Sequence, residues 1–107
     1  MQNLTAPELA TWLADTSRPA PLLLDVREPW EIETAKIAAS VCIPMRDIAT
    51  RSQELNHDAP IVCICHHGMR SARVAQFLEQ QGFTQLFNLT GGIHAWATLV
   101  DSSIPTY

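Results

Sequence analysis

No apolar run in this 107-residue chain approaches the roughly 18 residues of a membrane span, so no membrane partner is expected. Runs of Lys and Arg are also missing. Seven basic residues stand scattered among eleven acidic ones, for a net charge of −4 with His neutral, and nucleic acid is not an expected partner. The start, Met1-Gln2-Asn3-Leu4, carries neither the basic nor the apolar region of a secretory signal, so the expected location is cytoplasmic. Cysteine is scarce: three residues cannot all pair within one chain, and Cys42 and Cys63 sit in apolar, strand-like runs where they read as small core residues. Zinc-type spacing is absent, because Cys63 and Cys65 alternate along one strand and the neighbours His66 and His67 diverge; no metal is expected.

What is present is an ordinary globular composition, 47% apolar and 17% charged, which predicts one small domain over residues 1–107 with a tail from 101 to 107. Residues 5–14 predict a first helix. Thr5 followed by Glu8 makes a capping box, Pro7 lies in the first turn, and Leu9, Trp12 and Leu13 share a face. Leu22-Leu23-Leu24, ending at Asp25, reads as a strand buried on both faces. Glu28 to Thr34 reads as a short helix, Val41-Cys42-Ile43 as a strand stopped by Pro44, and Met45 to Leu55 as helical. Ile61 to Cys65 reads as the central strand. Ala72 to Gln81 follows as a helix with Val74, Phe77 and Leu78 on its core face, ended by Gly82. Leu86 to Leu89 is a further strand, Gly91-Gly92 a turn, and Ile93, Trp96, Ala97 and Val100 stripe a last helix. Apolar strands alternating with amphipathic helices predict a parallel α/β sheet covered on both faces, with ligands at the carboxyl ends of the strands. Cys65 and Asp25 stand at two such ends.

The run Cys65-His66-His67-Gly68-Met69-Arg70-Ser71 joins the central strand to its helix. A thiol there meets inward-turned loop amides and a positive helix N-terminus, both of which favour an anion on sulfur. Cys65 is therefore the expected nucleophile, more acidic than a free cysteine. Gly68 supplies the φ > 0 conformation that turns N–H groups inward. Arg70 either grips an anionic substrate group or braces loop carbonyls. Ser71 reads as a helix cap, with a bond to the sulfur as the alternative. His66 and His67 face the mouth of the site, where protonation near their reference pKa of about 6.5 makes them pH-dependent aids to an anionic donor; the alternative is two exposed loop residues. Met69 lines the entrance or is simply exposed. Asp25 and Arg27 support the loop from the neighbouring strand end. Trp12 and Trp96 read as core, Trp30 as partly exposed, and His94 as a surface helix residue.

Four blocks resemble the rhodanese family, in particular its single-domain sulfurtransferases: LLLDVRE (22–28), EIETAKIAASVCIP (31–44), IVCICHHGMRSARVAQFLEQQGF (61–83) and LFNLTGGIHAW (86–96). The second block departs from the family pattern. Gly-His-Ile and Gly-Ala are common there, where this chain has Ala35-Lys36-Ile37 and Ala39-Ser40, which predicts a slightly different turn. The resemblance implies a three-layer α/β/α fold with a five-stranded parallel sheet. It implies sulfane-sulfur transfer by a ping-pong route: Cys65 takes the outer sulfur of a donor such as thiosulfate as a persulfide, and cyanide or a thiol removes it. Residues His66, His67, Gly68, Met69, Arg70 and Ser71 would bind substrate, no separate cofactor is implied, and a protein sulfur acceptor stays open as a partner. Two rivals remain. One is a non-catalytic docking or sulfur-carrier module. The other is a cysteine phosphatase or arsenate reductase, whose loops place five residues between Cys and Arg, against the four between Cys65 and Arg70 here.

Overall fold

Leu22, Leu23 and Leu24 form the strand their apolar run predicts, β2 (Leu22–Asp25), with Leu24 fully buried. In the computed structural model, which describes residues 1–107, β2 is joined by β1 (Gln2–Leu4), β3 (Val41–Cys42), β4 (Ile61–Ile64) and β5 (Leu86–Leu89). All pairings are parallel and the sheet order is β1-β5-β4-β2-β3. The central strand β4 is buried along its whole length, as its unbroken apolar run requires.

Alternation along β4 divides the core. Ile61, Cys63 and Cys65 join a cluster with Val74, Ala75 and Leu78 of α4 (Met69–Gln80) and Ile48 of the one-turn helix α3 (Ile48–Arg51). Val62 and Ile64 join the opposite cluster, with Leu9 and Trp12 of α1 (Ala6–Ala14) and Ile93 and Trp96 of α5 (Gly92–Leu99). Each fully buried Leu or Ile contributes about 1.5–3 kcal/mol relative to exposure. The result is the three-layer α/β/α arrangement, with a further short helix, α2 (Pro29–Thr34), following β2. No helix is long and apolar enough to cross a membrane.

The first helix begins as predicted: Thr5 Oγ1 accepts from the Glu8 amide, and the Glu8 carboxylate accepts from the Thr5 amide. Other predictions shift. β1 has only three residues and pairs only with β5, so it lacks the apolar signature of the buried strands. The stretch read as helix over 45–55 is α3 between 3₁₀ turns at Met45–Asp47 and Ser52–Glu54. Helix α4 starts at Met69, not Ala72, so Arg70 and Ser71 lie inside its first turn. Ala39 adopts φ 67°, a left-handed conformation that a side chain disfavours. It stands in the block where the resemblance led one to expect glycine.

Candidate active site

The sulfur of the candidate site sits where β4 hands over to α4. Cys65 directly follows β4 and is 1% exposed, and its edge forms the floor of an open depression of about 190 Å³ lined also by His66, His67, Met69 and Arg70. Its Sγ accepts from the Gly68 amide at 3.0 Å and lies 3.2 Å from Ser71 Oγ. The several loop amides expected from the sequence thus reduce to one, and a hydroxyl provides the second contact. Gly68 caps α4 at φ 106°. A Cβ there would lie 3.2 Å from Leu89 O and 3.3 Å from the Gly91 nitrogen, so both conformation and space select glycine.

The loop is held from behind by α5. Ile93 N–H donates to Cys65 O at 2.9 Å and His94 N–H to His66 O at 3.1 Å. This approach requires Gly92, because a Cβ would fall 2.4 Å from Cys65 O and 2.3 Å from His66 O. The pair read from the sequence as a turn is therefore the seat of the reactive loop.

Ser71 does not cap its helix. Its hydroxyl lies between Cys65 Sγ and Asn88 Oδ1 of β5, and Asn88 in turn donates through Nδ2 to Gly68 O at 3.1 Å. Asn88 is 4% exposed. Its sequence signal was a polar residue inside the apolar run Leu86-Phe87-Asn88-Leu89, where a buried amide needs partners.

Arg70 braces no loop carbonyl; it lines the depression with its guanidinium already paired to a carboxylate. Its Nη1 and Nη2 donate to the two carboxylate oxygens of Glu31 on α2, at 2.6 and 2.8 Å. Glu31 also accepts from the Glu28 amide at 3.0 Å and from Tyr107 Oη at 2.7 Å. The Arg70 fork, opposed by burial and aided by the Tyr107 and Glu28 bonds, holds the Glu31 carboxyl at about 2, far below its ordinary 4.5. Arg70 is held charged by the same pair. Asp25 and Arg27 stand beneath, outside the depression, as a buried ion pair with Nη2 to Oδ2 at 2.7 Å. Arg27 also donates to Glu31 O, Ala35 O and Tyr107 Oη. Burial opposes its charge, and the Asp25 and Tyr107 bonds more than offset that. Arg27 thus reaches Glu31, the partner of Arg70, with Asp25 behind it, and neither side chain hydrogen-bonds an atom of the 65–71 loop. Burial raises the Tyr107 hydroxyl to about 12.

His66 lies between two rings, 4.0 Å from Tyr107 in a stacked pair and 4.0 Å from His67. Burial first, and then the neighbouring His67, lower His66 below its ordinary 6.5 and favour the uncharged ring. His94 is not a free surface residue: its ring stands 5.0 Å from His67 and its Nδ1 is buried. Met69 is 73% exposed at the rim. Cys63, behind the site, is driven by burial up to about 12 and stays a neutral core thiol.

The family model for the rhodanese-like domain matches residues 5–99. A sulfurtransferase of Allochromatium vinosum is 37% identical over 97 residues, covering 91% of this chain and 89% of that protein. The Arabidopsis thaliana rhodanese-like/PpiC domain-containing protein 12, chloroplastic, is 43% identical over 89 residues, but the match covers only 30% of its length and 79% of this chain. The crystal structure of a Staphylococcus aureus rhodanese-like domain protein superposes with a TM-score of 0.85 at 30% identity, covering 100% of this chain and 99% of that one. On fold, loop and family match together, the chain belongs to the rhodanese-like domain family.

Proposed function

We propose that this protein is a sulfurtransferase that carries sulfane sulfur on Cys65. The observation that carries this reading is a sulfur at a strand end, facing an open depression, with a glycine amide aimed at it from 3.0 Å. The Cys65 thiolate attacks the outer sulfur of a donor such as thiosulfate. The donor's S–S bond breaks, its electron pair leaves with sulfite, and Cys65 becomes a persulfide. A thiophilic acceptor, cyanide or a thiol, then attacks the outer sulfur and leaves with it, returning the thiolate. The Gly68 amide stabilises negative charge on Sγ through a charge-assisted bond, a type that contributes about 1.5–3 kcal/mol. His66, His67, Met69 and Arg70 form the wall that meets donor and acceptor, and Gly68 and Ser71 act from beneath.

The reaction so written needs no resident cofactor. Its partners are a small sulfur donor and a thiol or cyanide acceptor, and a protein thiol fits the acceptor role equally. Three free cysteines suit the reducing cytoplasm. Initial-rate kinetics test the reading. Thiocyanate production from thiosulfate and cyanide should give parallel double-reciprocal lines, as a covalent intermediate demands, and should vanish in Cys65→Ser. Intersecting lines, or activity that survives the substitution, would overturn it. Phosphate release from an aryl phosphate, lost in Cys65→Ser, would favour the phosphatase reading instead.

A further inference from the structure

We propose that Asn88 is a positioning residue that sets which way the Ser71 hydroxyl points and thereby restrains ionisation of Cys65. The argument is a count of protons and lone pairs in a closed space. Asn88 donates its Nδ2–H to Gly68 O at 3.1 Å, so its Oδ1 must be the atom turned to Ser71. Ser71 Oγ is within bonding distance of both Asn88 Oδ1 and Cys65 Sγ, but a hydroxyl has one proton. The Gly68 amide already donates to Sγ.

With a neutral thiol the chain closes completely. Gly68 N–H donates to Sγ, the S–H donates to Ser71 Oγ, and Ser71 O–H donates to Asn88 Oδ1. With a thiolate it cannot close. Ionisation breaks only the S–H bond and sends the proton to solvent. Ser71 must then rotate its proton from Asn88 to Sγ, leaving Oδ1 an unpaired acceptor in a residue 4% exposed, or keep it on Asn88 and turn a lone pair to an anion. Either outcome penalises the charged form. Asn88 thus works against charge on the sulfur through Ser71, opposing the pull of the Gly68 amide, and it also anchors Gly68 through the carbonyl of the same residue.

The charged and titratable groups around Cys65 are Arg70 on α4, paired with Glu31 of α2; His66 and His67 of the loop; His94 of α5; and Cys63 of β4. All of them persist in the variants below. The inference concerns the ionisation of sulfur and does not depend on sulfur transfer.

Iodoacetamide alkylation of Cys65 followed across pH reads it directly. Asn88→Ala should lower the pH midpoint by about one unit, a tenfold change in the ionisation equilibrium. In a Ser71→Ala background the same change should move the midpoint much less, because the hydroxyl is gone and only the anchor on Gly68 is left to lose. No shift in Asn88→Ala, or an equal shift in both backgrounds, overturns the proposal. Asn88→Val, which suits a strand, replaces the alanine variant if that one does not fold. Independently, in the unsubstituted protein the Asn88 side-chain amide resonances should move with the alkylation midpoint and lose that movement in Cys65→Ser. Resonances that stay still would also overturn it.

Discussion

Arg70 and Glu31, 39 residues apart, meet as a bidentate pair at 2.6 and 2.8 Å, and that pair fastens the reactive loop to α2. The guanidinium that closes the Cys65 loop therefore reaches the depression already bound to a carboxylate. Its fork matches two carboxylate oxygens, which a lysine cannot do. The same carboxylate collects Tyr107 and the Glu28 amide, so one acidic side chain gathers the N-terminal cap of α2, the start of α4 and the 101–107 segment.

Glu31→Gln should cost about 1–3 kcal/mol at neutral pH, since it removes the charge that Arg70 pairs with and replaces one of two acceptor oxygens with a donor. The loss should depend on pH with a definite sign. Folding lowers the Glu31 carboxyl from 4.5 to about 2, so its contribution is complete above pH 4.5 and disappears as pH falls towards 2. Urea unfolding of both proteins from pH 7 to pH 2 checks this: the gap between them should close across that window. Combined with Arg70→Ala, Glu31→Gln should add less than it costs alone, because the ion pair is lost once and only the Tyr107 and Glu28 bonds remain to be weakened.

Gly92→Ala should be severe although the change is one methyl. The Cβ would meet two backbone carbonyls at 2.4 and 2.3 Å, which cannot rotate away, and the residue sits at φ 60°. A loss of about 2–4 kcal/mol is expected from strain and overpacking together. Alkylation of Cys65 should change in the folded fraction as well, because α5 no longer seats the loop. Thermal melts paired with alkylation rates measure both.

Ala39→Gly should act in the opposite direction. A left-handed alanine costs about 1–2 kcal/mol, and the extra chain entropy of glycine returns part of that. A net gain of about 0.5–1 kcal/mol is expected, seen as a rise in Tm of about 2–5 °C, with Cys65 reactivity unchanged. Scanning calorimetry checks it.

These cases show which features the chain reveals when read in order. The Thr5–Glu8 cap, the buried strands and the Cys65 loop were legible because their signals are local: a spacing of three residues, an unbroken apolar run, a glycine inside a short turn. Strand β1 was not, since three largely exposed residues on an edge carry no burial pattern. Glu31 with Arg70 and Asn88 with Ser71 were hidden for another reason. Their partners lie 39 and 17 residues apart and meet only once the strands align. Ser71 read as a cap because its place at a helix start favours capping, and the buried amide of Asn88 claimed its hydroxyl instead. His94 read as exposed because its spacing misses the α5 stripe, and the docking of α5 on the loop brought it to His67.

The central claim is that Cys65 accepts and surrenders a sulfur atom. Intact-mass measurement of the reduced, folded protein after incubation with thiosulfate tests it most directly. The account predicts a mass increase of one sulfur atom, reversed by cyanide and absent in Cys65→Ser. An unchanged mass in excess donor, or an adduct that persists in Cys65→Ser, would contradict it.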